Sequence, residues 1–173
     1  MRPRKKVPGA LPEPIPPQVV ALNYNPDTGV FTWNASIKSY KAKVLIGRRA
    51  GTINHYGYRI IGLGKKDYHE SRLAWLIVHG CWPDGEIDHI NCDPADNRIA
   101  NLRPADRTQN NINRQLEAKN TSGFKGVSWH RKDKCWRVRL GQRFIGNFKD
   151  PAEGHQAYMA AATRLYGEYA RGR

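Results

Sequence analysis

The stretch from residue 86 to residue 102 reads EIDHINCDPADNRIANL and concentrates side chains that could do chemistry. Asp88 offers carboxylate oxygens, the ligands that magnesium prefers, and a magnesium ion keeps several waters and so needs few protein ligands. His89 offers a base that is neutral near physiological pH and can take a proton from an attacking water. Adjacent strand residues point to opposite faces, so the two side chains would approach a phosphate from different sides. The pair fits a one-metal site that cleaves phosphodiesters.

The same residues also fit a structural interpretation. EIDHIN could be an ordinary surface strand and DPADNR a turn, because Asn, Asp and Pro are common in loops. The Asp-His pair by itself leaves both interpretations open.

The charge of the chain favours a polyanionic partner. Its 173 residues carry a formal net charge of +14, and binding to phosphates releases counterions whatever the base sequence. Nucleic acid is the first candidate and an anionic membrane surface the second. No apolar run approaches the ~20 residues of a membrane-spanning helix, and the N-terminal stretch lacks the apolar core of a signal peptide. We expect a cytosolic protein.

The three cysteines, Cys81, Cys92 and Cys135, are odd in number and widely spaced. This spacing fits neither a disulfide framework nor a paired-cysteine zinc site. We predict three reduced thiols.

Turn and capping signals divide the first part of the chain into short elements. Residues 1–18 combine basic residues with prolines and predict a flexible tail. Turn residues within YNPDTGVFTW and AGTINHYGYRIIGL predict two hairpins. The run RLAWLIVH, residues 72–79, predicts a buried helix that Gly80 ends, and Asp106 is placed to cap a short helix.

The last part of the chain has a different pattern. Aromatic and β-branched segments at residues 124–129, 135–140 and 143–148 predict three strands, with Val127, Val138 and Leu140 in the core. Small residues at helical spacing predict a helix over residues 151–167. The expected architecture is a small three-stranded antiparallel sheet packed on one helix.

The segment DHINCDPADNRIANLRPADRTQNNIN resembles the HNH endonuclease family, in particular its phage and intron-encoded homing branch. GYRIIGL and RLAWLIVHG extend the resemblance over roughly residues 24–114. It implies an α+β fold with a ββα-metal (His-Me finger) nuclease domain at residues 19–118, in which a strand, a loop, a second strand and a helix follow one another.

The resemblance also implies roles for individual residues. His89 is the expected general base, and Asp88 and Asn110 are the expected ligands of one divalent ion, Mg²⁺ or Mn²⁺. Asn101 is expected to brace the loop and the histidine, with Asn97 as a second brace.

The roles of two arginines of the motif can be interpreted in two ways. Arg98 and Arg103 could contact DNA phosphate, or they could make structural pairs with Asp93 or Asp96.

Two positions depart from the family pattern. Ser71 stands where the branch has a histidine, with His69 nearby as a substitute, and Cys92 stands where the branch has a glycine. Cys92, a residue with a side chain, must therefore make a tight turn that glycine makes more easily.

Residues 124–170 resemble the APETALA2-type DNA-binding domain through FKGVSW, CWRVRL, IGNF and the helix that follows. This resemblance implies a DNA-binding domain at residues 119–173 whose sheet enters the major groove, which a sheet fits and where arginine can read guanine. The expected DNA contacts are Lys125, Ser128, His130, Arg131, Trp136, Arg137, Arg139 and Arg143.

Together these features predict a metal-dependent, phage-type homing endonuclease that cuts double-stranded DNA to 5′-phosphate and 3′-hydroxyl ends. We expect a monomer in the host cytosol, with DNA as its partner and no protein partner or membrane. A sequence-specific regulator with an inactive nuclease domain is the alternative, and an RNA-binding protein fits the charge but not the groove-binding sheet. The sequence leaves open whether one strand or both are cut.

Overall fold

The computed structural model describes residues 13–34, 46–114, 116 and 120–172. The chain divides into two compact units, Met1–Asp84 with Asp93–Leu102, and Gly85–Cys92 with Arg103–Arg173. Most of the predicted tail at residues 1–18 lies outside the described residues, as does the predicted domain boundary near residue 119. That boundary stays a prediction.

The first unit begins with two antiparallel hairpins. A 3-10 turn, Pro17–Ala21, leads into strands β1 and β2, Leu22–Asn25 and Val30–Trp33, which pair with each other. Strands β3, β4 and β5 then form a three-stranded antiparallel sheet in that order, at Thr52–Ile53, Arg59–Leu63 and Lys66–His69. Both predicted hairpins are confirmed, and β5 is an additional strand.

Helix α1, Glu70–His79, packs Leu73, Ala74 and Leu76 into the interior of this unit. It ends as predicted at Gly80, whose φ of 73° is left-handed and whose N–H donates to the Leu76 carbonyl. The helix starts two residues earlier than predicted.

Around the Asp-His pair, the elements follow in the order strand, loop, strand and helix. The strands and the helix lie mainly in the second unit, whereas most of the loop belongs to the first. Strand β6, Glu86–His89, pairs with β7, Leu102–Ala105, and helix α2, Arg107–Asn113, follows directly. The Asp106 side chain caps α2 as predicted, accepting from the N–H groups of Thr108 and Gln109. The element order is the one that the first resemblance implies.

The same unit ends in a three-stranded antiparallel sheet and a helix. Strands β8, β9 and β10 occupy Val127–His130, Cys135–Leu140 and Arg143–Phe148, with β9 in the centre. Helix α3, Pro151–Tyr166, packs on the sheet and is followed by a 3-10 turn, Gly167–Tyr169. The predicted sheet-and-helix architecture is confirmed.

The core of this second unit is continuous from α2 to the sheet. It contains the predicted core residues of the sheet, two residues of α3 and one residue of α2, namely Val127, Val138, Leu140, Tyr158, Ala162 and Ile112. Full burial of one aliphatic side chain contributes about 1.5–3 kcal/mol. The helix beside the Asp-His strand and the C-terminal sheet therefore depend on a common set of contacts.

The three cysteines are free thiols, as predicted. Within the described ranges, no helix combines the length and the apolar character that crossing a membrane requires.

Candidate functional site

Strand β6 holds Asp88 in a buried network of hydrogen bonds. The carboxylate is 3% exposed and accepts a hydrogen bond from Arg103 Nε on Oδ2, at 2.9 Å. Asn113 Nδ2 lies 2.9 Å from Oδ1 and 3.1 Å from Oδ2. Asp88 is therefore fixed from β7 by a cation and from α2 by an amide.

His89 follows on the same strand and is also buried. Its carbonyl accepts from Asn113 Nδ2 at 2.8 Å and from the N–H of Cys92 at 2.9 Å. One amide group thus contacts both the Asp88 carboxylate and the His89 backbone. Sequence reasoning gave Asn113 no role, although the repeated asparagines of QNNIN were the available signal.

Asn110, the second expected metal ligand, lies one turn before Asn113 on α2. Its Nδ2 donates to Glu86 Oε2 at 2.6 Å. Glu86 and Asp88 are two residues apart on β6 and therefore share a face of the strand. The structure pairs Asn110 with Glu86 and Asn113 with Asp88.

These side chains supply oxygen donors that suit a hard divalent cation. A carboxylate has about four acceptor positions, and the three contacts to Asp88 leave room for one more. The hydrogen bond to Glu86 uses the nitrogen of the Asn110 amide and so does not consume its oxygen. Across the described residues, no cluster of three or more His, Cys, Asp or Glu side chains could hold a metal. The donor set fits an ion that keeps most of its waters, as magnesium does.

The two expected loop braces make hydrogen bonds within the first unit. Asn101 Nδ2 donates to the Asp96 carbonyl at 2.8 Å, and Asn97 Nδ2 donates to Glu70 Oε2 at 3.3 Å. Both asparagines are buried. They hold the backbone of the loop that follows β6, and their part in catalysis stays a prediction.

The turn of the first hairpin packs against the same loop. Gly29 has a φ of +69°, and a Cβ at this position would lie 2.5 Å from the backbone of Asn97 and Arg98. Tyr24, from the strand before that turn, donates its hydroxyl to the Asn97 carbonyl at 2.7 Å. Burial, together with the negative charges of Asp96 and Asp27, raises the pKa of Tyr24 to about 12.

A buried ion pair connects this loop to the sheet of the first unit. Arg59 Nε lies 3.0 Å from each carboxylate oxygen of Glu70, which is fully buried at the start of α1. Burial raises the pKa of Glu70, and the arginine acts in the opposite direction. The sequence reasoning missed this pair because the two residues belong to different elements.

The two motif arginines have acidic partners. Arg98 makes an exposed pair with Asp96, with contacts of 2.8 and 2.6 Å, which is one of the two interpretations kept from the sequence. Arg103 is buried and pairs with Asp88, a partner that the sequence did not indicate. The structural pairing of Arg103 is thus with Asp88 and not with Asp93 or Asp96, and its contact with phosphate stays a prediction.

Cys92 makes the tight turn that the family pattern gives to glycine. Its φ is 63°, and its Sγ donates to the Asn113 carbonyl at 2.9 Å. Burial raises the pKa of this thiol. The side chain thus adds a contact to the residue that holds Asp88.

The other departure from the pattern lies at the start of α1. Ser71 is buried in the first turn. His69 is exposed at the N-cap, with its ring edge-on to Tyr58 at 5.2 Å between centroids. Both residues belong to the first unit.

The outer face of the C-terminal sheet carries arginines, as predicted. Arg137 and Arg139 alternate on β9 with the buried Val138 and Leu140. The register places Ser128 beside Arg137 on the neighbouring strand and the exposed Phe144 beside Arg139. This face combines positive charge with an aromatic side chain, as protein surfaces that bind nucleic acid often do.

A network in the turn between β8 and β9 includes two of the expected DNA contacts, His130 and Arg137. The Asp133 carboxylate lies 3.1 Å from both His130 Nδ1 and Arg137 Nη2. Arg131 and Arg143 are exposed at opposite edges of this sheet. Their contacts with DNA stay predictions.

Two expected DNA contacts have other surroundings in the structure. Trp136 lies on the helix-facing side of β9, where it packs against the core and meets Trp129 edge-on. The Lys125 ammonium donates hydrogen bonds to the carbonyls of Ile112 and Arg114 at the end of α2, and burial lowers the pKa of Lys125. Strand alternation assigns Trp136 to the core face, and capping of α2 engages Lys125. The contacts of both residues with DNA stay predictions.

Comparisons with known proteins match part of this arrangement. The model of the HNH endonuclease family matches residues 68–112, which include α1, β6 and β7. Protein 3.8 of Escherichia phage T7 is 32% identical over 102 residues, which are 57% of this chain and 84% of that protein. No solved structure matches the chain. The family match ends before the C-terminal sheet, whose resemblance to the APETALA2-type domain stays a prediction.

Proposed function

This chain belongs to the same family as Protein 3.8 of Escherichia phage T7 and carries an HNH endonuclease domain, and we propose that it is a metal-dependent DNA endonuclease. The observation that carries the proposal is the Asp88-His89 pair, which Asn113 holds at both residues. Nothing in a purely structural strand requires a buried carboxylate beside a buried histidine, because burial of polar groups costs free energy.

In the proposed reaction, His89 takes the proton of a water that attacks the phosphorus in line with the leaving 3′ oxygen. Asp88 and Asn110 would hold one Mg²⁺ or Mn²⁺ ion, which supplies a positive charge beside the developing negative charge. Asn113 holds the Asp88 carboxylate and the His89 backbone in a fixed relation, which should limit the reorganisation needed during the reaction. The products are a 5′-phosphate and a 3′-hydroxyl end.

We propose that the C-terminal sheet positions the DNA. Its outer face presents Arg139 and the half-buried Arg137, which are suited to guanine edges in the major groove. Arg98 is exposed in the loop after β6 and can add a phosphate contact. Site-specific cutting of this kind would suit a homing endonuclease.

The direct test is to incubate the purified protein with double-stranded DNA from its source genome in Mg²⁺ or Mn²⁺ and to map the ends. Cuts at defined positions, with 5′-phosphates that a ligase can join, support the proposal. Intact DNA with either ion rejects it.

One observation favours a second candidate, a sequence-specific DNA-binding regulator. Arg103 already neutralises Asp88, as expected if that carboxylate had only a structural role. A regulator would shift a specific duplex in a gel at the same concentrations at which it leaves the DNA uncut. The cleavage and gel-shift experiments on one DNA sample separate the two functions.

A further inference from the structure

The segment that follows α3, residues 167–171, lies against the strands that carry the proposed nuclease site. We call it the C-terminal segment. The Glu168 carbonyl accepts from Arg103 Nη1 at 3.0 Å, and the Tyr169 ring lies under the Arg103 guanidinium at 4.0 Å. Two successive residues of the segment therefore hold the cation that pairs with Asp88.

The Tyr169 hydroxyl adds a contact to the strand itself. It donates to the carbonyl of Pro104, the neighbour of Arg103 on β7, at 2.7 Å. A single tyrosine thus fixes an arginine side chain with its ring and the adjacent strand backbone with its hydroxyl. An amphipathic tyrosine suits this double contact.

Arg171 extends the contact to the other strand. Its Nη1 lies 3.0 Å from Cys92 Sγ and 3.4 Å from the Ile90 carbonyl, just beyond the end of β6. The C-terminal segment therefore contacts both β7 and the chain after β6, on either side of Asp88 and His89.

We infer that the C-terminal segment positions the nuclease site and that Tyr169 is its main positioning residue. The Arg103 side chain has many rotamers, and the Tyr169 ring and the Glu168 carbonyl hold its guanidinium where it meets Asp88. Restraint of Arg103 restrains Asp88 in turn. This inference rests on the proposed nuclease function.

The test compares three variants of the full chain. Tyr169→Leu removes the ring and the hydroxyl, and Tyr169→Phe removes the hydroxyl alone. Tyr166→Leu is the matched control, because Tyr166 packs against the core of the sheet and helix. Two quantities are measured: the solvent exchange of the Arg103 Nε–H by NMR, and the single-turnover cleavage rate at saturating DNA.

We expect Tyr169→Leu to speed the exchange of the Arg103 proton and to slow cleavage by about tenfold to a hundredfold, with DNA affinity almost unchanged. Tyr169→Phe should slow cleavage by about fivefold, the equivalent of one hydrogen bond. Tyr166→Leu should lower thermal stability without changing the exchange of the Arg103 proton.

Unchanged exchange in both Tyr169 variants would overturn the inference, as would an unchanged cleavage rate. An equal effect of Tyr166→Leu on exchange and rate would also overturn it, because general packing would then explain the result. Failure of the parent protein to cut any DNA is a separate outcome and rejects the nuclease function itself.

Discussion

Arg103 Nε donates to Oδ2 of Asp88 across 2.9 Å, and both side chains are buried. The carboxylate proposed to bind a metal therefore already has a positive partner inside the protein. A buried ion pair tolerates the loss of one partner poorly, because the remaining charge is left uncompensated. The variants of these two residues are accordingly the most informative.

Arg103→Met should lower the free energy of unfolding by about 3–5 kcal/mol, because Asp88 would remain buried without a cation. A divalent ion can replace the missing charge, so Mn²⁺ should raise the melting temperature of this variant more than that of the parent. Arg98→Met is the control, since its pair with Asp96 is exposed, and it should change little. Equal Mn²⁺ shifts in the parent and in Arg103→Met would contradict the assignment of the ion to Asp88.

His89→Ala should reduce single-turnover cleavage by ~10²- to 10⁴-fold and leave DNA affinity nearly intact, because the general base acts on the attacking water and not on DNA binding. The rate is measured with excess protein, and affinity is measured by gel shift. His79→Ala, at the exposed end of α1, is the control. A variant at His89 that cuts at the parent rate would remove this residue from the mechanism.

EDTA should abolish cleavage, and Mg²⁺ or Mn²⁺ should restore it, because the proposed ligands are oxygens. Asp88→Asn should raise the Mg²⁺ concentration needed for half-maximal rate, whereas Asp67→Asn, at an exposed position of β5, should not. Isothermal titration of Mn²⁺ without DNA gives a second readout. The site is misassigned if the protein retains stoichiometric zinc that activity requires.

Stability should fall as pH rises from 10 to 12, and Tyr24 is one cause. Its pKa in the folded protein is about 12, against an ordinary value of 10.0, so in this window the unfolded chain has lost the proton and the folded protein keeps it. Tyr24→Phe should weaken this pH dependence, and Tyr56→Phe, at an exposed tip, should leave it unchanged. Chemical denaturation at a series of pH values measures the free energy of unfolding. If that free energy falls equally steeply with pH in the parent and in Tyr24→Phe, the role of Tyr24 is refuted.

Arg139→Ala should cost about 1–3 kcal/mol in binding to the preferred DNA site if this residue reads a base edge, and much less on scrambled DNA. Arg139 is the sharper choice because Arg137 also contacts Asp133. Arg164→Ala, on the exposed surface of α3, controls for the loss of one charge. Equal losses on target and scrambled duplexes would make Arg139 a phosphate contact, and no loss on either would refute the groove-binding sheet.

The local elements were predictable because their signals are short-range. Asp106 and Gln109 form a capping box within one helical turn, and Gly80 ends α1 at the predicted residue. The Asp-His pair could be identified as a candidate site because its residues are adjacent and of types that suit phosphodiester cleavage, and its catalytic role stays a prediction. These predictions needed no knowledge of the tertiary structure.

The partners of those residues could not be predicted in the same way. Arg103 meets Glu168 across 65 positions of sequence, and no local pattern specifies such a contact. Trp136 differs, because its alternation with Arg137 on β9 already placed it on the core face. The two-residue period of a strand therefore indicates the core position of Trp136 from sequence alone, and its contact with DNA stays a prediction.

The shared core of Ile112 with the C-terminal sheet has a consequence for protein engineering and for recombination between genes. A chimera joined near residue 119 would keep every residue of the Asp-His motif but expose one face of α2 and remove Glu168 and Tyr169, which contact Arg103. If the proposed nuclease function holds, replacement of the C-terminal sheet by a foreign DNA-binding module should therefore impair cutting, unless the new module supplies a matching apolar surface and an equivalent of Tyr169. Under the proposed DNA-positioning role of the sheet, new target preferences would arise more readily from substitutions on its outer face than from exchange of the whole sheet.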